Sequence, residues 1–415
     1  MAGTTVCPDC AAPIAPSGSF KPWCPECGWG LELEERPGPA GLVGDTYARL
    51  GEKLGAGLFE TLKASPPEAL RPKLTAGKLA ALALALPVHL STIALFALGA
   101  WCIYVDWFNW FLAGLGAFLM IAAYALAPRL GSAPPHTLAR SDAPETYKLV
   151  DEVASRLGTP TIDLIAVDPQ INASFSRFGL KRTSVLTLGA PLWLSFDGAQ
   201  KTALVAHELA HQVNGDLARS YWVGGAAATL AHWYDFLTQP YEEGGTIFEL
   251  VTHYGCLALS VPVRLYLSTL LHLFWRGSQT AEYLADHLGS RVSGTAAFIS
   301  SDERLAVILG NDDRLFRAIR DFYRQPENII PAFVQSFDNV PENEMERVRQ
   351  QNEREKLALD ATHPPTHYRS ELLRSFPAPA QVARTSEQNA AMNAEFAPLN
   401  KAMGLELVRQ VLPDL

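Results

Sequence analysis

The chain has 415 residues, which is enough for one large domain or two to three smaller ones. Apolar residues make up 48% of it and charged residues only 19%, a balance that lies toward the membrane side of the soluble range. The net charge of -9 is not gathered into a basic patch, which argues against nucleic acid as a partner.

The first thirty residues contain cysteines, prolines and charges instead of an apolar core, so we expect no signal peptide there. Four of the six cysteines form two CxxC pairs, CPDC from Cys7 to Cys10 and CPEC from Cys24 to Cys27. Two such turns can close a tetrahedral thiolate site, and so short a segment needs metal to fold. The pattern predicts a zinc ribbon over residues 1–30, the alternative being two chance CxxC turns. Whether the ribbon is purely structural or docks a partner is left open.

Residues 31–78 are predicted to be a linker followed by an amphipathic helix. Pro, Gly and Glu dominate residues 32–44, and the helix is expected to end near Pro66 and Pro67. The apolar residues that recur at helical spacing in it are Leu50, Leu54, Leu58, Phe59 and Leu62.

Two uncharged apolar runs follow, at residues 79–98 and 110–127. Each is close to the roughly twenty residues that cross a bilayer. The short aromatic connection WCIYVDWFNW is typical of a turn at a membrane interface. The pattern predicts a transmembrane helical hairpin over residues 79–127, and the alternative is a buried hairpin in a soluble core.

The flanks of this hairpin indicate its orientation, because cytoplasmic loops carry an excess of Lys and Arg. The connection contains only Asp106, so both ends are expected to face the cytoplasm. A reducing compartment agrees with zinc instead of disulfides at the cysteine pairs. The flanking basic residues are Arg71, Lys73 and Lys78 before the hairpin and Arg129, Arg140 and Lys148 after it.

From about Pro144 the composition becomes that of a globular domain, predicted over residues 140–375 and followed by a polar, helical tail at 376–415. TYKLVDEVASRLG reads as an amphipathic helix and TIDLIAV as a strand. INASFSRFG and TSVLTLG read as a strand pair, and a helix follows over residues 199–213. Since a long helical region comes next, the predicted fold class is mainly α (α+β) with a small sheet.

The segment ALVAHELAHQVNGD places two histidines on either side of a glutamate. On a helix His207 and His211 share one face, so their imidazoles point together at one metal. Glu208 lies one step around the helix and can reach a metal-bound water without ligating the metal. The motif therefore predicts a catalytic metal site.

The third ligand is less certain from the residues alone. The metzincin pattern HExxHxxGxxH is excluded by Asn214 and Leu217. Downstream, AEYLADHLG offers Glu282 as a ligand, with Asp286 one turn on to orient a ligating imidazole. His287 is a competing ligand, and the alternative to both is a solvated helix face.

Together these segments resemble the HtpX-like membrane zinc metalloproteases, the family that includes the type I CAAX prenyl endopeptidases. The resemblance covers residues 145–375 and the hairpin before them, whereas the cysteine ribbon lies outside the usual pattern. The matching pieces, in chain order, are NAS at Asn172 to Ser174, HELAHQVNGD, AEYLAD and THPPTHYR at Thr362 to Arg369.

The resemblance implies a zincin-like metallopeptidase domain with an edge-exposed sheet. It implies His207, His211 and Glu282 as zinc ligands, with Glu208 as general base. The expected cofactors are therefore two zinc ions, one catalytic and one structural in the ribbon. The implied partners are protein or peptide substrates and membrane lipid, with no nucleic acid; the oligomeric state is not indicated.

The resemblance also implies roles around the substrate. Asn172 and Ala173 would lie on an edge strand that pairs with the substrate backbone, and His363 and Arg369 would stabilise the oxyanion. Because NAS replaces the more usual NAF, the pocket near Phe175 is left undetermined. The implied setting is a multi-pass protein of the cell membrane, a bacterial inner membrane, acting in membrane-protein quality control with its active site facing the cytoplasm. Prenyl-peptide cleavage is disfavoured for a chain with this few spans.

Two rival functions remain to be compared. A site-2-type intramembrane protease is disfavoured because the motif helix has polar flanks, which would be costly at a bilayer centre. A catalytically inactive zinc scaffold or membrane sensor is the second alternative. The polar flanking residues are Asp197, Lys201, Gln212, Asn214 and Asp216.

The stretch from residue 221 to 275 is ambiguous. It contains a long apolar run, YGCLALSVPVRLYLSTLLHL, but Arg264 lies at its middle and costs about 2.5–3.5 kcal/mol on insertion scales. Because His211 and Glu282 must reach one metal, the chain between them crosses a membrane an even number of times. We expect helices packed in or near the membrane surface here rather than a second full hairpin.

Overall fold

The computed structural model describes residues 5–15, 17–31, 42–65, 76–127, 134–179, 181–213, 220–239, 246–355 and 363–412. The sequence features that lie outside the described residues are the linker at 32–41, Pro66, Pro67, Arg71, Lys73, Arg129, Asn214, Asp216, Leu217 and Thr362.

The strands form two small sheets. The first, β1 (Thr5–Val6) with β2 (Pro13–Ile14), is an antiparallel pair inside the cysteine segment. The second has the order β3-β4-β6-β5, in which β4 and β6 are parallel and the other pairs antiparallel. Its strands are β3 (Thr137–Leu138), β4 (Leu164–Asp168), β5 (Ala173–Phe178) and β6 (Thr183–Gly189).

Helices make up most of the chain, which confirms the predicted fold class. The N-terminal helices are α1 (Leu42–Lys63), α2 (Ala76–Val105), α3 (Trp110–Leu126), α4 (Pro144–Leu157), α5 (Ala190–Ser195) and α6 (Gly198–Val213). A π-helical turn (Ser220–Gly224), α7 (Gly225–Leu237), α8 (Ile247–Ser293), α9 (Thr295–Leu309), α10 (Asp313–Phe322) and α11 (Ile329–Gln335) follow. The last are α12 (Glu342–Arg354), α13 (Thr366–Ser375), α14 (Ser386–Phe396) and α15 (Asn400–Val411).

The main core lies between the second sheet and the helices that cover it. Val150 of α4, Leu188 of β6 and Leu209 of α6 are all fully buried in one apolar cluster. Burial of each such side chain contributes about 1.5–3 kcal/mol. The helix that carries the histidine motif is therefore held on its apolar side by the core.

The C-terminal residues, grouped above as a tail at 376–415, contribute two helices to the same core. Phe396 of α14 and Met403 of α15 are fully buried in that core. The Glu395 carboxylate accepts backbone N–H bonds from Glu145 (2.7 Å) and Thr146 (3.0 Å) at the start of α4. Packing thus joins α14 and α15 to the domain that precedes them.

The apolar helices α2, α7 and α8 pack together in an apolar cluster of their own. Ala76–Val105 and Ile247–Leu273 are long and apolar enough to cross a membrane, and α3 is a shorter apolar helix. Their outward residues are exposed apolar side chains. Residues 247–273, for which the sequence favoured a helix at the membrane surface, thus form a candidate span. The seventeen residues of this helix before Arg264 approach the length of a span on their own, so the location of this segment in or at the membrane stays a prediction.

Close backbone approach joins the two helices of the first hairpin. A side chain at Gly116 would place its Cβ 2.5 Å from the carbonyl oxygen of Gly99, and one at Gly99 would meet the Gly116 oxygen at 2.7 Å. Gly114, on the same helix, has open space around it. Small residues at such contacts are what membrane helix packing requires.

We therefore expect Gly116→Val to destabilise the hairpin by about 1–3 kcal/mol through overpacking, and Gly114→Val to have a much smaller effect. Thermal unfolding of both variants in detergent, followed by circular dichroism, provides the comparison. Equal melting temperatures for the two variants would contradict the packing of α2 against α3.

Candidate active site and metal centre

The motif helix α6 is fixed at its first turn. Asp197 Oδ1 accepts N–H bonds from Ala199 (2.9 Å) and Gln200 (2.8 Å), which satisfies groups that have no partner within the helix. The buried Lys201 ammonium donates to Phe196 O (2.6 Å) and to the side-chain oxygens of two asparagines on α14. These contacts set the position of the two histidines that follow on the same helix.

Three ligand-type side chains converge where α6 meets α8. His207 Nε2 lies 3.4 Å from His211 Nε2 and 3.5 Å from Glu282 Oε2, and His211 Nε2 lies 3.6 Å from Glu282 Oε1. Tetrahedral zinc with Zn–N and Zn–O bonds of about 2.0–2.2 Å separates its ligand atoms by about 3.3–3.5 Å. The three side chains therefore have the spacing of a metal-ligand set.

His363 lies on the open side of this group. Its Nδ1 is 2.6 Å from Glu282 Oε2, and its side chain is 55% exposed. Ligand atoms of His207, Glu282 and His363 all lie within 4.8 Å of one another. The imidazole is thus placed either to ligate a metal or to donate a hydrogen bond to a group bound beside it.

Behind the ligands lies a buried layer of charged groups. Asp286 Oδ1 is 3.0 Å from His207 Nδ1, and Arg369 donates two hydrogen bonds to the Asp286 carboxylate, at 2.7 and 2.6 Å. Arg369 Nη2 also lies 3.8 Å from Asp302 Oδ1 of α9. His287, the competing ligand, instead places its ring edge-on to Phe376, away from the His207–Glu282 group.

The pKa values report the strong fields in this layer. Burial opposes ionisation of Glu282 and Asp286, but His207 and His363 hold the pKa of Glu282 well below its usual range. For Asp286 the charge and hydrogen bonds of Arg369 outweigh burial and bring the pKa to about 2. Burial raises the pKa of Glu208, and it raises that of Asp302 to about 6 against the pull of Arg369.

The charge balance suits a divalent cation. Glu282 and Asp286 are ionised, and Arg369 is the buried cation that faces them. Burial opposes protonation of His207, but Asp286 and Glu282 raise its pKa well above the usual value. Without a metal, the carboxylates favour a proton on His207. A metal bound to the three ligand atoms would supply that positive charge instead. Two imidazoles and a carboxylate are a donor set that zinc accepts.

The edge of the second sheet borders the site. β5 pairs with β6 and, among the described strands, has no neighbour on its other side. All six residues of β5, from Ala173 to Phe178, are half-buried. Gly189 donates its N–H to the Asn172 carbonyl (2.8 Å), which ties the start of β5 to the end of β6. Among the described residues, the outer backbone of β5 has no strand paired with it, which is the kind of edge to which an extended peptide can add.

The four cysteines of the N-terminal segment form a second group. Cys7 Sγ lies 3.6 Å from Cys27 Sγ, and Cys10 Sγ lies 3.6 Å from Cys24 Sγ. Tetrahedral Zn–S bonds of about 2.3 Å separate sulfurs by about 3.8 Å. Burial opposes ionisation of Cys7, but N–H bonds from its turn lower its pKa to about 7. At Cys27 the N–H bond from Trp29 favours the thiolate, but burial and the neighbouring thiols outweigh it and raise the pKa to about 12, so the four sulfurs share fewer than four charges without a metal. The group has the arrangement of a thiolate metal site.

Sequence reasoning missed Asp302. This aspartate lies in the polar run SSDERL, where no motif distinguishes it from a solvated residue. In the structure it is buried, and its partner Arg369 lies 67 positions later in the chain. A buried acid beside an arginine is visible only once the helices are packed.

Comparison with known proteins gives the family. Residues 142–376 match the model described as Peptidase family M48. The chain belongs to that family. M48 peptidases are metal-dependent, and relatives named Protease HtpX homolog, described next, also match the chain. Together these matches support a membrane-associated, HtpX-like metalloprotease and confirm the predicted family.

Relatives of low sequence identity are also named as HtpX-type proteases. A protein named Protease HtpX homolog from Pyrobaculum calidifontis is 26% identical over 284 residues, which cover 64% of this chain and 78% of the relative. Another of that name from Pyrococcus furiosus is 25% identical over 246 residues, covering 57% and 75% of the two chains. No solved structure matches the chain.

Zinc affinity distinguishes the ligand from its neighbours on α8. We expect Glu282→Gln to weaken zinc strongly because a charged ligand is lost, and Asp286→Asn to weaken it about 10–100-fold. His287→Gln should leave the affinity nearly unchanged, because its ring packs on Phe376. Competition with a chromophoric chelator on each purified variant measures this. If His287→Gln empties the site and Glu282→Gln does not, the third ligand has been misassigned.

Proposed function

We propose that the protein is a membrane-anchored zinc endopeptidase that hydrolyses peptide bonds of protein substrates. The observation that carries this is the convergence of His207, His211 and Glu282 at metal-ligand spacing beside Glu208. The adjacent open edge of β5 supports a peptide instead of a small-molecule substrate.

The proposed ligands are His207, His211 and Glu282. Zinc held there would polarise the scissile carbonyl and make a water acidic enough to act as nucleophile. Glu208, whose pKa burial raises, accepts the proton of that water and returns it to the leaving amine. His363 donates a hydrogen bond to the charge that develops on the carbonyl oxygen.

Two further residues act through the ligands. Asp286 faces His207 Nδ1 and so holds the tautomer that leaves Nε2 free for a metal. Arg369 fixes Asp286 with two hydrogen bonds and is almost fully buried. We therefore assign Arg369 a positioning role, in place of the direct contact with the oxyanion that the resemblance suggested.

Substrate is proposed to bind along β5. Asn172 and Ala173 lie at the start of this strand, and an extended peptide adding to its free edge would lie next to the motif helix. Main-chain pairing of this kind selects extended segments over folded ones. Unfolded or partly extracted proteins are the substrates that it favours.

The membrane anchor places the site near a lipid surface. α8 is one helix of 47 residues, and Glu282 follows the end of its apolar segment at Leu273 by nine residues. At 1.5 Å per residue this is about 14 Å. We propose that the substrates are proteins at the membrane surface, in keeping with quality control of membrane proteins.

The proposed topology has α2, α3 and α8 crossing the bilayer, with the peptidase domain in the cytoplasm. Since α8 leads back to the cytoplasmic side at Glu282, the chain must first cross to the other side of the membrane between Val213 and Ile247. In that interval the structure describes the π-helical turn Ser220–Gly224 and α7, whose 13 residues span about 20 Å, less than the roughly 30 Å of a hydrocarbon core. It would cross together with the segments that flank it.

The cysteine group is proposed to hold the second zinc ion. Its four sulfurs have the required spacing, and its own apolar cluster consists of Cys7, Ile14 and Cys24 with Ala12 and Trp29 beside them. So small a cluster supplies little folding energy, so bound zinc would stabilise the ribbon.

Catalysis is tested by removing the base. Glu208→Gln should lower cleavage of casein or a membrane-protein substrate by about 100-fold or more while leaving zinc bound, because proton transfer is lost and the ligands are not. Metal analysis of the same samples is the control. Wild-type protein that binds zinc and cleaves neither substrate would favour the alternative function, an inactive zinc scaffold or sensor.

Topology is tested by thiol labelling in a Cys102→Ala, Cys256→Ala background. Asp106→Cys, in the exposed turn between α2 and α3, should react with an impermeant maleimide in intact cells. Arg156→Cys, exposed on α4, should react only after the cells are broken. Labelling of position 156 from outside would show that the peptidase domain does not face the cytoplasm.

A further inference from the structure

The cysteine ribbon is docked on the peptidase domain along one helix. Trp23 is buried, and its Nε1 donates a hydrogen bond to the carbonyl oxygen of Asn343 (2.7 Å) at the start of α12. The Asn343 side-chain amide donates in turn to Ser17 Oγ (3.1 Å) and Ala15 O (3.3 Å). Polar groups of both partners are thus satisfied across the contact.

A second contact lies beside the first. The guanidinium of Arg314, on α10, stacks 3.8 Å from the ring centre of Phe20. Arg314 Nη2 also donates to Ser19 O and Oγ, each at 3.1 Å. Phe20 itself is buried in the main core of the peptidase domain. The ribbon therefore shares apolar core with the domain, beyond touching its surface.

A third contact lies at the other end of α12. Gly28, in the second cysteine turn, has a positive φ of 78°, and a Cβ there would lie 3.1 Å from Arg354 Nη1. Asn343 and Arg354 are eleven residues apart, about 16 Å along the helix. The ribbon thus contacts α12 near both of its ends.

From α12 the contacts continue to the active site. The Asn352 carbonyl oxygen lies 2.6 Å from His367 Nδ1, on the helix that carries Arg369. His363 follows the end of α12 by nine residues. Within α12, the Glu344–Arg347 ion pair is fully buried, and Asn311 donates to Glu344 Oε1 at 2.8 Å, which ties the helix to the rest of the domain.

We propose that the metal-loaded ribbon is a positioning module for His363 and Arg369, so that turnover depends on metal bound at the cysteine site. Trp23 and Phe20 are its positioning residues: Trp23 acts through α12, Phe20 acts through Arg314 of α10 and the apolar cluster that it shares with Val348 of α12, and neither touches substrate. Loss of metal would release the turn that holds Gly28 against Arg354 and the segment that carries Trp23. The inference rests on the proposed peptidase function, since His363 is assigned there.

The test separates docking from overall folding. Three purified full-length variants are compared with wild type: Cys10→Ser with Cys27→Ser, which disables the cysteine site; Trp23→Phe, which keeps the ring and removes its N–H; and Phe20→Ala. Glu26→Gln, exposed between the ribbon cysteines, is the matched control. Readouts are zinc per chain, kcat and KM on one peptide substrate, and hydrogen exchange over residues 342–355 and 366–375.

We expect the double cysteine variant to keep about one zinc per chain and to lose about tenfold or more in kcat, with KM within about twofold. The unchanged KM is expected because β5 and the catalytic ligands are not disturbed. Hydrogen exchange should rise in α12 and α13 and stay unchanged in α6. Trp23→Phe should show the same pattern in weaker form, Phe20→Ala in full, and Glu26→Gln not at all.

Wild-type kcat and wild-type exchange in the double cysteine variant, with one zinc retained, would overturn the proposal. If that variant binds no zinc because it is unfolded, Trp23→Phe and Phe20→Ala decide: unchanged exchange in α12 and α13 in both overturns the proposal. Absence of peptidase activity in wild type would instead refute the proposed function. The exchange data would still report whether the ribbon holds α12.

Discussion

The crossing of α6 with α8 is the constraint on which the rest of the fold depends. His207 and Glu282 are 75 positions apart, yet their ligand atoms lie 3.5 Å from each other. Gly289 permits this approach, because a Cβ there would lie 2.7 Å from the Phe298 ring and 3.2 Å from the backbone nitrogen of His207. The interval between the helices must leave the domain and return to it, and part of it is the apolar segment of α8.

Because α8 is one continuous helix, it connects the candidate membrane span Ile247–Leu273 directly to the ligand residue Glu282. Because Leu273 and Glu282 lie on one uninterrupted helix, the depth of the apolar segment in a bilayer fixes the height of the ligand above it. α2 packs against α8 and fixes its position further, since the Tyr266 hydroxyl of α8 donates a hydrogen bond to Leu84 O of α2 at 2.7 Å. If α8 crosses a bilayer as proposed, a site held in this way would be presented to substrate at a defined distance from the lipid surface.

Much of the site was predictable from local sequence and the rest was not, for a physical reason. The spacing of His207 and His211 places both on one helix face whatever surrounds them, and the first hairpin is legible from hydropathy. Asp302 and the packing of Phe396 depend on contacts between distant segments, which no local pattern encodes. Residues 247–273 form a candidate span by length and composition within a helix that extends well past Arg264 on both sides, and their predicted location at the membrane surface stays a prediction.

The buried charges of the site determine where a cation would bind. Removing a carboxylate from water costs several kcal/mol unless it is paired, and Glu282 and Asp286 both lie inside. Arg369 pairs with Asp286, so Glu282 and the two imidazoles remain to be compensated at the open side. A cation at that position would compensate their charge. Beside it, Glu208 would serve as a proton acceptor and His363 as a hydrogen-bond donor. The charge layer that favours a cation at this position would thus also orient the imidazole of His207 toward it.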